Sequence, residues 1–127
     1  MAFSQMVLGL ATENRTLNAL SEEHAKKPRW FKGAAMAGPL ADLNGVDMTI
    51  DTDVGLIPVQ IKSSDTGAAE YRRKYPAYKN VVVIVIKRYT DDDEIRHLVF
   101  TVIGKRRKKI QYERKMRRQK QEKRSRV

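Results

Sequence analysis

The stretch Gly45-Val46-Asp47-Met48-Thr49-Ile50-Asp51-Thr52-Asp53-Val54-Gly55-Leu56-Ile57-Pro58-Val59-Gln60-Ile61-Lys62 governs how the rest of the chain is read. Both halves alternate apolar and polar residues about a turn-like Asp53-Val54-Gly55, the pattern of a β-hairpin. Val46, Met48 and Ile50 share one face of the first strand; Ile57, Val59 and Ile61 share one face of the second. With those faces turned to a core, Asp47, Gln60 and Lys62 emerge together on the other side. Residues directly opposite across such a pair sit about 5 Å apart. A carboxylate, a side-chain carbonyl and an ammonium gathered in this way suit one divalent cation and one phosphate.

Working outward, Met6, Leu10, Leu17 and Leu20 recur at helical spacing and predict a helix over residues 3–25, ended by Lys26-Lys27-Pro28. Residues 30–36 read as a short first strand, and Gly38-Pro39 and Asn44-Gly45 frame a loop before the hairpin. Ser63-Ser64-Asp65 offers an N-cap for a helix running to about Lys74, with Tyr75-Pro76 as its stop. Residues 81–86 are apolar on both faces and predict a central strand. Thr90-Asp91-Asp92-Asp93 reads as an exposed turn, and residues 97–103, rich in β-formers, as a last strand. This order predicts an α/β (α+β) domain: a mixed four- to five-stranded sheet flanked by helices, with a basic C-terminal helix or tail.

The charge is segregated. Residues 105–127 hold 13 of the 26 Lys and Arg against two acids, Glu113 and Glu122, and so carry the whole formal net charge of +11. The first 104 residues hold 13 of each sign and balance. The expected organisation is a neutral body, 1–104, and a basic helix or tail, 105–127, anchored only by Ile110, Tyr112 and Met116 and ordering on its partner. Such a segment favours a polyanion, nucleic acid first among them; a solvated tail is the plainer alternative. Lys105, Arg106, Arg107, Lys108 and Lys109 are its leading contacts. Arg72, Arg73 and Lys74, interleaved with Tyr71, Tyr75 and Tyr78, suit backbone contact and stacking, or else mark a helix end packing its tyrosines on the sheet. Lys26, Lys27, Arg29 and Lys32, around Trp30, would line the other side of a DNA channel. With no cysteine, thiolate zinc sites and disulfides are excluded, and His24 and His97 lie far apart in sequence. Nothing approaches the roughly 20 apolar residues of a membrane span or the layout of a secretory leader, so a soluble cytoplasmic protein without membrane contact is expected.

Glu13 stands within the Met6, Leu10, Leu17, Leu20 stripe, where a carboxylate must be paired, bound to metal or set at the stripe's edge. Glu13 on a first helix, Asp47 on a strand and Gln60-x-Lys62 on the next strand of a hairpin resemble the PD-(D/E)xK nuclease superfamily. Small Holliday junction resolvases and compact homing and phage endonucleases are similar in size and layout. The resemblance covers about residues 5–103 and includes Ser63-Ser64 after Lys62. It implies a core of helix, three-strand meander, helix and strand, and a metal-dependent DNA endonuclease. Asp47, the Gln60 oxygen and the Ile61 carbonyl would bind Mg²⁺ (Mn²⁺ substituting), Glu13 would bind it directly or through water, and Lys62 would orient the attacking water or offset phosphorane charge. The chain departs from the family at Gln60, where Asp or Glu is usual, and at Val46, where a proline precedes the aspartate. An amide oxygen still ligates hard cations, without charge. Asp42, Asp51 and Asp53 are weaker metal candidates. A homodimer is expected, because cutting both strands of a duplex or junction needs two sites; residues 97–103 or the Trp30-Phe31 region would supply its interface. The expected substrate is DNA, branched or duplex. The alternatives are a nucleic-acid-binding protein without catalysis and a sequence-specific homing-type enzyme.

Overall fold

The computed structural model describes residues 2–38, 45–76 and 80–126, with side chains from residue 11 onward. Pro39 and Asn44 of the expected turns, Asp42, Tyr78, and the side chains of Met6 and Leu10 lie outside the described residues.

The hairpin forms as its alternation requires. Strand β2 (Met48–Thr52) runs antiparallel to β3 (Gly55–Lys62), with Met48 opposite Val59 and Ile50 opposite Ile57. The Thr52 hydroxyl accepts the Val54 N–H at 3.1 Å and donates to the Gly55 carbonyl at 2.8 Å. Gly55 closes the turn at φ +104, a region glycine enters without penalty. Strand β1 (Phe31–Met36) pairs antiparallel with β2, and β4 (Val82–Val85) pairs parallel with β3, giving the sheet order β1-β2-β3-β4.

Among the described residues three helices flank this mixed sheet: α1 (Ala2–Ser21), α2 (Asp65–Lys74) and α3 (Asp92–Ser125). The fold is therefore α+β. Met48, Ile50, Ile57, Val59, Ile61, Val82 and Ile84 pack with Ala19 and Leu20 of α1 and Ile95, Val99 and Ile103 of α3 in one core. Helix α2, capped by Ser64 Oγ accepting the Gly67 N–H at 3.0 Å, packs on β3 and β4 from the face where Asp47, Gln60 and Lys62 emerge.

Several expectations are corrected. Residues 97–103 are not a strand but part of α3, so the sheet has four strands. Asp91 caps that helix, accepting the Glu94 N–H at 2.8 Å, and three acids fill its first turn, so the supposed exposed turn is a helix start. Ile95, Val99 and Ile103 then recur every four residues, and all three are fully buried. The strand at residues 81–86 is an edge strand, not a central one; its apolar faces are covered by α2 and α3. Helix α1 stops at Ser21 rather than at residue 25, and the Arg96 guanidinium donates to its Ala19 carbonyl at 3.0 Å. Nor does the basic segment start a separate tail: the division between 104 and 105 falls inside α3, and Ile110 packs against the core.

Candidate metal and nucleic-acid site

Alternation along the hairpin puts three polar side chains on the face opposite the core, and α2 roofs them. Asp47, Gln60 and Lys62 line one cavity of about 340 Å³, closed by Gly45 and by Gly67, Glu70, Tyr71, Lys74 and Tyr75 of α2 and its C-terminal flank. Asp47 and Gln60 are each 7 % exposed. Asp47 Oδ2 accepts the Ile61 N–H at 2.9 Å, which fixes the carboxylate at the end of the hairpin. Within a strand one residue's N–H and C=O point to the same edge, so the Ile61 carbonyl faces the side that Asp47 occupies. Gln60 Oε1 is buried, and among the described residues it has no hydrogen-bond partner. An orphaned amide oxygen of this kind costs about 1–3 kcal/mol unless a ligand satisfies it.

Tyr71 sets the roof. Its hydroxyl donates to the Gly45 carbonyl at 2.9 Å, and its ring centroid lies 5.7 Å from Lys62 Nζ. Gly45 adopts φ +80, and a Cβ there would come within 2.7 Å of Tyr71 Cε2. Glycine at 45 thus provides both the turn and the close approach of α2 to the hairpin.

Glu13 is not among the residues lining this cavity. On the described part of α1 the buried positions are Thr12, Thr16, Ala19 and Leu20, and Glu13 is half-buried at their margin, engaged in an interaction within the protein. The buried face is rotated from the leucine stripe because Thr16 can be buried at little cost, its hydroxyl donating to the Thr12 carbonyl at 2.8 Å. The cavity's second carboxylate is instead Glu70, exposed on α2. Sequence reasoning missed it because nothing local marks a helical glutamate that tertiary packing brings to a strand end. Among the described residues no group of three or more His, Cys, Asp or Glu is placed to hold a metal. The acceptors that Asp47, Glu70 and the Gln60 amide bring to the cavity are all oxygens, the donor type of Mg²⁺ and Mn²⁺, and the orphaned Gln60 oxygen fits such an ion.

The basic residues separate into distinct environments. Arg72, Lys105, Arg106 and Lys109 line a second cavity of about 670 Å³ between α2 and α3, walled also by Tyr71 and Tyr75. Lys74 lies over the Tyr75 ring, 5.4 Å from its centroid, and Arg73 is exposed on α2. Arg107 points elsewhere: Nε and Nη2 each donate to an Asp53 carboxylate oxygen at 2.6 Å, and its guanidinium lies 5.9 Å from the Trp30 ring centroid. That paired hydrogen bond holds the Asp53 carboxyl below its ordinary value and raises Arg107. Asp53 is therefore the partner of α3 and not a metal ligand. Lys108 lines a third cavity of about 1040 Å³, where Lys26, Lys27 and Lys105 meet both histidines, His24 and His97, beside Glu22 and Asp93. The fold thus brings into one wall two histidines that sequence distance had separated. The regions expected to form a dimer interface are used within the chain: Val99 and Ile103 are core, and Trp30 and Phe31 stack edge-on against Phe100 at 6.1 and 5.1 Å.

No described helix is long and apolar enough to cross a membrane. Comparison with known proteins finds no matching family model, no matching curated protein and no matching solved structure.

Proposed function

We propose that this chain is a divalent-metal-dependent DNA endonuclease of the PD-(D/E)xK type, with Asp47, Gln60 and Lys62 at its site. One observation carries the reading: a buried carboxylate, a buried amide oxygen without a partner among the described residues and a lysine ammonium share one small cavity. The element order, helix, three-strand antiparallel meander, helix and parallel strand, is the order that resemblance implies and supports the same reading.

Asp47, Gln60 and the Ile61 carbonyl would hold Mg²⁺ or Mn²⁺, with Glu70 as the second carboxylate in reach of the cavity. When bound, the ion polarises the scissile phosphate and lowers the pKa of an attacking water. Lys62, steadied over Tyr71, donates to a phosphate oxygen and offsets the charge that develops there. The Ile61 N–H keeps Asp47 turned toward the hairpin end. With so few carboxylates, affinity for the ion is expected to be weak, and substrate phosphates complete its shell. A two-fold homodimer would supply the second site that double-strand or junction cleavage requires.

Incubation of supercoiled plasmid and four-way junctions with Mg²⁺, Mn²⁺ or EDTA tests the reading. Cleavage should need the metal, and Asp47→Asn and Lys62→Ala should each lose about 100-fold or more in rate while melting near the parental temperature. Asp47→Asn cleaving at the parental rate ends the proposal. Glu70→Gln should impair cleavage more than Glu13→Gln, because only Glu70 lines the cavity. A nucleic-acid-binding protein without catalysis is the second reading. It is favoured by the basic α2–α3 cavity, which needs no metal, and it predicts binding without cleavage in the same incubation. Equal cleavage of junctions and random duplex would remove the branched target, and a fixed cut sequence would favour the homing-type alternative.

A further inference from the structure

The cavity between α2 and α3 has a lining unlike that of the other large cavity. Arg72, Lys105, Arg106 and Lys109 stand around a floor of Val81, Val82, Val83 and Val102, and among the described residues no acidic side chain lines it. Glu22 and Asp93, by contrast, dilute the cationic wall of the cavity beside Trp30. Tyr71 and Tyr75, whose ring centroids lie 5.1 Å apart, line both the α2–α3 cavity and the cavity of Asp47, Gln60 and Lys62. The two spaces are neighbours across a tyrosine wall.

A duplex presents phosphates to a broad open surface and keeps its bases stacked inside, so it has no use for an apolar floor. An unpaired strand needs both elements: cations along its backbone and aromatic or apolar surface for exposed bases. A volume of about 670 Å³ is of the order that encloses a small-molecule ligand, which matches a nucleotide or two and not a duplex about 20 Å wide. We infer that the α2–α3 cavity binds a single-stranded DNA segment, with a base against Tyr75 and phosphates on Arg72, Lys105 and Lys109, and leads that strand toward Lys62. The substrate class is then DNA carrying an unpaired stretch, such as a flap, fork or opened branch. The direction of the strand rests on the nuclease reading; its binding does not.

The test is fluorescence anisotropy in EDTA with a labelled oligo(dT) and a labelled blunt hairpin duplex of equal phosphate number. The full chain should bind the single strand more tightly than the duplex. Arg72→Ala, Lys105→Ala and Lys109→Ala together should weaken single-strand binding at least tenfold and flatten its salt slope by about 0.7 for each phosphate no longer neutralised. Tyr75→Ala should weaken it roughly 5- to 150-fold, and Tyr75→Phe, which keeps the ring, should restore it. Duplex bound as tightly as single strand overturns the inference, as does a Tyr75→Phe protein that binds no better than Tyr75→Ala. The metal-free readout separates the two proposals. Single-strand preference without Mg²⁺-dependent cleavage removes only the nuclease, and cleavage without that preference removes only the strand path.

Discussion

Gln60 is buried, amide-bearing and left without a partner among the described residues, a state that folding alone does not favour. Replacing an unsatisfied buried polar group by an apolar one of similar size is neutral or stabilising. Gln60→Leu should therefore melt at or above the parental temperature by differential scanning calorimetry, and calorimetric titration should show that Mg²⁺ no longer binds. Gln60→Glu should bind Mg²⁺ more tightly, because the amide ligates without charge. A Gln60→Leu protein that unfolds early would mean the amide serves packing. Gly45 makes a second test of the cavity. Gly45→Ala puts a Cβ into the Tyr71 ring at a positive φ, so it should displace Tyr71 and cost about 1–3 kcal/mol in denaturant unfolding. Asp47, Gln60 and Lys62 were legible from period-two alternation, which fixes the facing of every residue once one face is buried. Glu13 was misplaced because a helix tolerates small rotations of its buried face, and here two threonines took it.

Helix α3 shows how element identity is decided. The run His97-Leu98-Val99-Phe100-Thr101-Val102-Ile103 favours a strand by propensity, yet it is helical, because a capped, acid-rich start at Asp91 and apolar residues every four positions bury three side chains at once. The Asp91-x-x-Glu94 start was the signal that would have found it. Farther along, Arg107 pairs with Asp53 and Arg114 donates to the Val54 carbonyl at 2.8 Å, so α3 is stapled to the hairpin turn. The Asp53 carboxyl, held low chiefly by the Arg107 hydrogen bond, stabilises this docking above its ordinary value near 3.8 and stops doing so as pH falls through its lowered value. Trp30, the single tryptophan, lies under Arg107 and reports the pairing. Asp53→Asn should shift Trp30 emission at neutral pH, and the parental protein should show the same shift in acid. Matching acid titrations of the two proteins would show that the pair does not hold α3.

Across the whole molecule, a balanced body supports one helix of 34 residues, about 50 Å long at about 1.5 Å per residue. Past Met116 every described residue of α3 is exposed, and basic residues surround the helix. Deleting residues 117–127 should leave the body's melting temperature nearly unchanged and weaken duplex binding, with a salt slope shallower by about 0.9 for each phosphate no longer neutralised. Equal slopes for the two proteins would show that the outer turns do not meet DNA. Deleting from residue 105 is a different experiment, since it also removes Arg107, Ile110 and Arg114 from the fold. Sedimentation with and without DNA tests the homodimer; a monomer in both conditions at micromolar concentration would leave one site per particle.

The amino-acid sequence by itself determined the α+β class, the hairpin and its turn, the caps of α2, and the common facing of Asp47, Gln60 and Lys62. These follow from local periodicity and turn chemistry, which act within a few residues. Tertiary structure alone decided that β4 lies at an edge, that Arg107 turns to Asp53 while Arg72, Lys105, Arg106 and Lys109 gather, and that Glu70, not Glu13, lines the cavity. Each depends on how the helices settle on the two faces of the sheet, a packing outcome that no short stretch of the chain encodes.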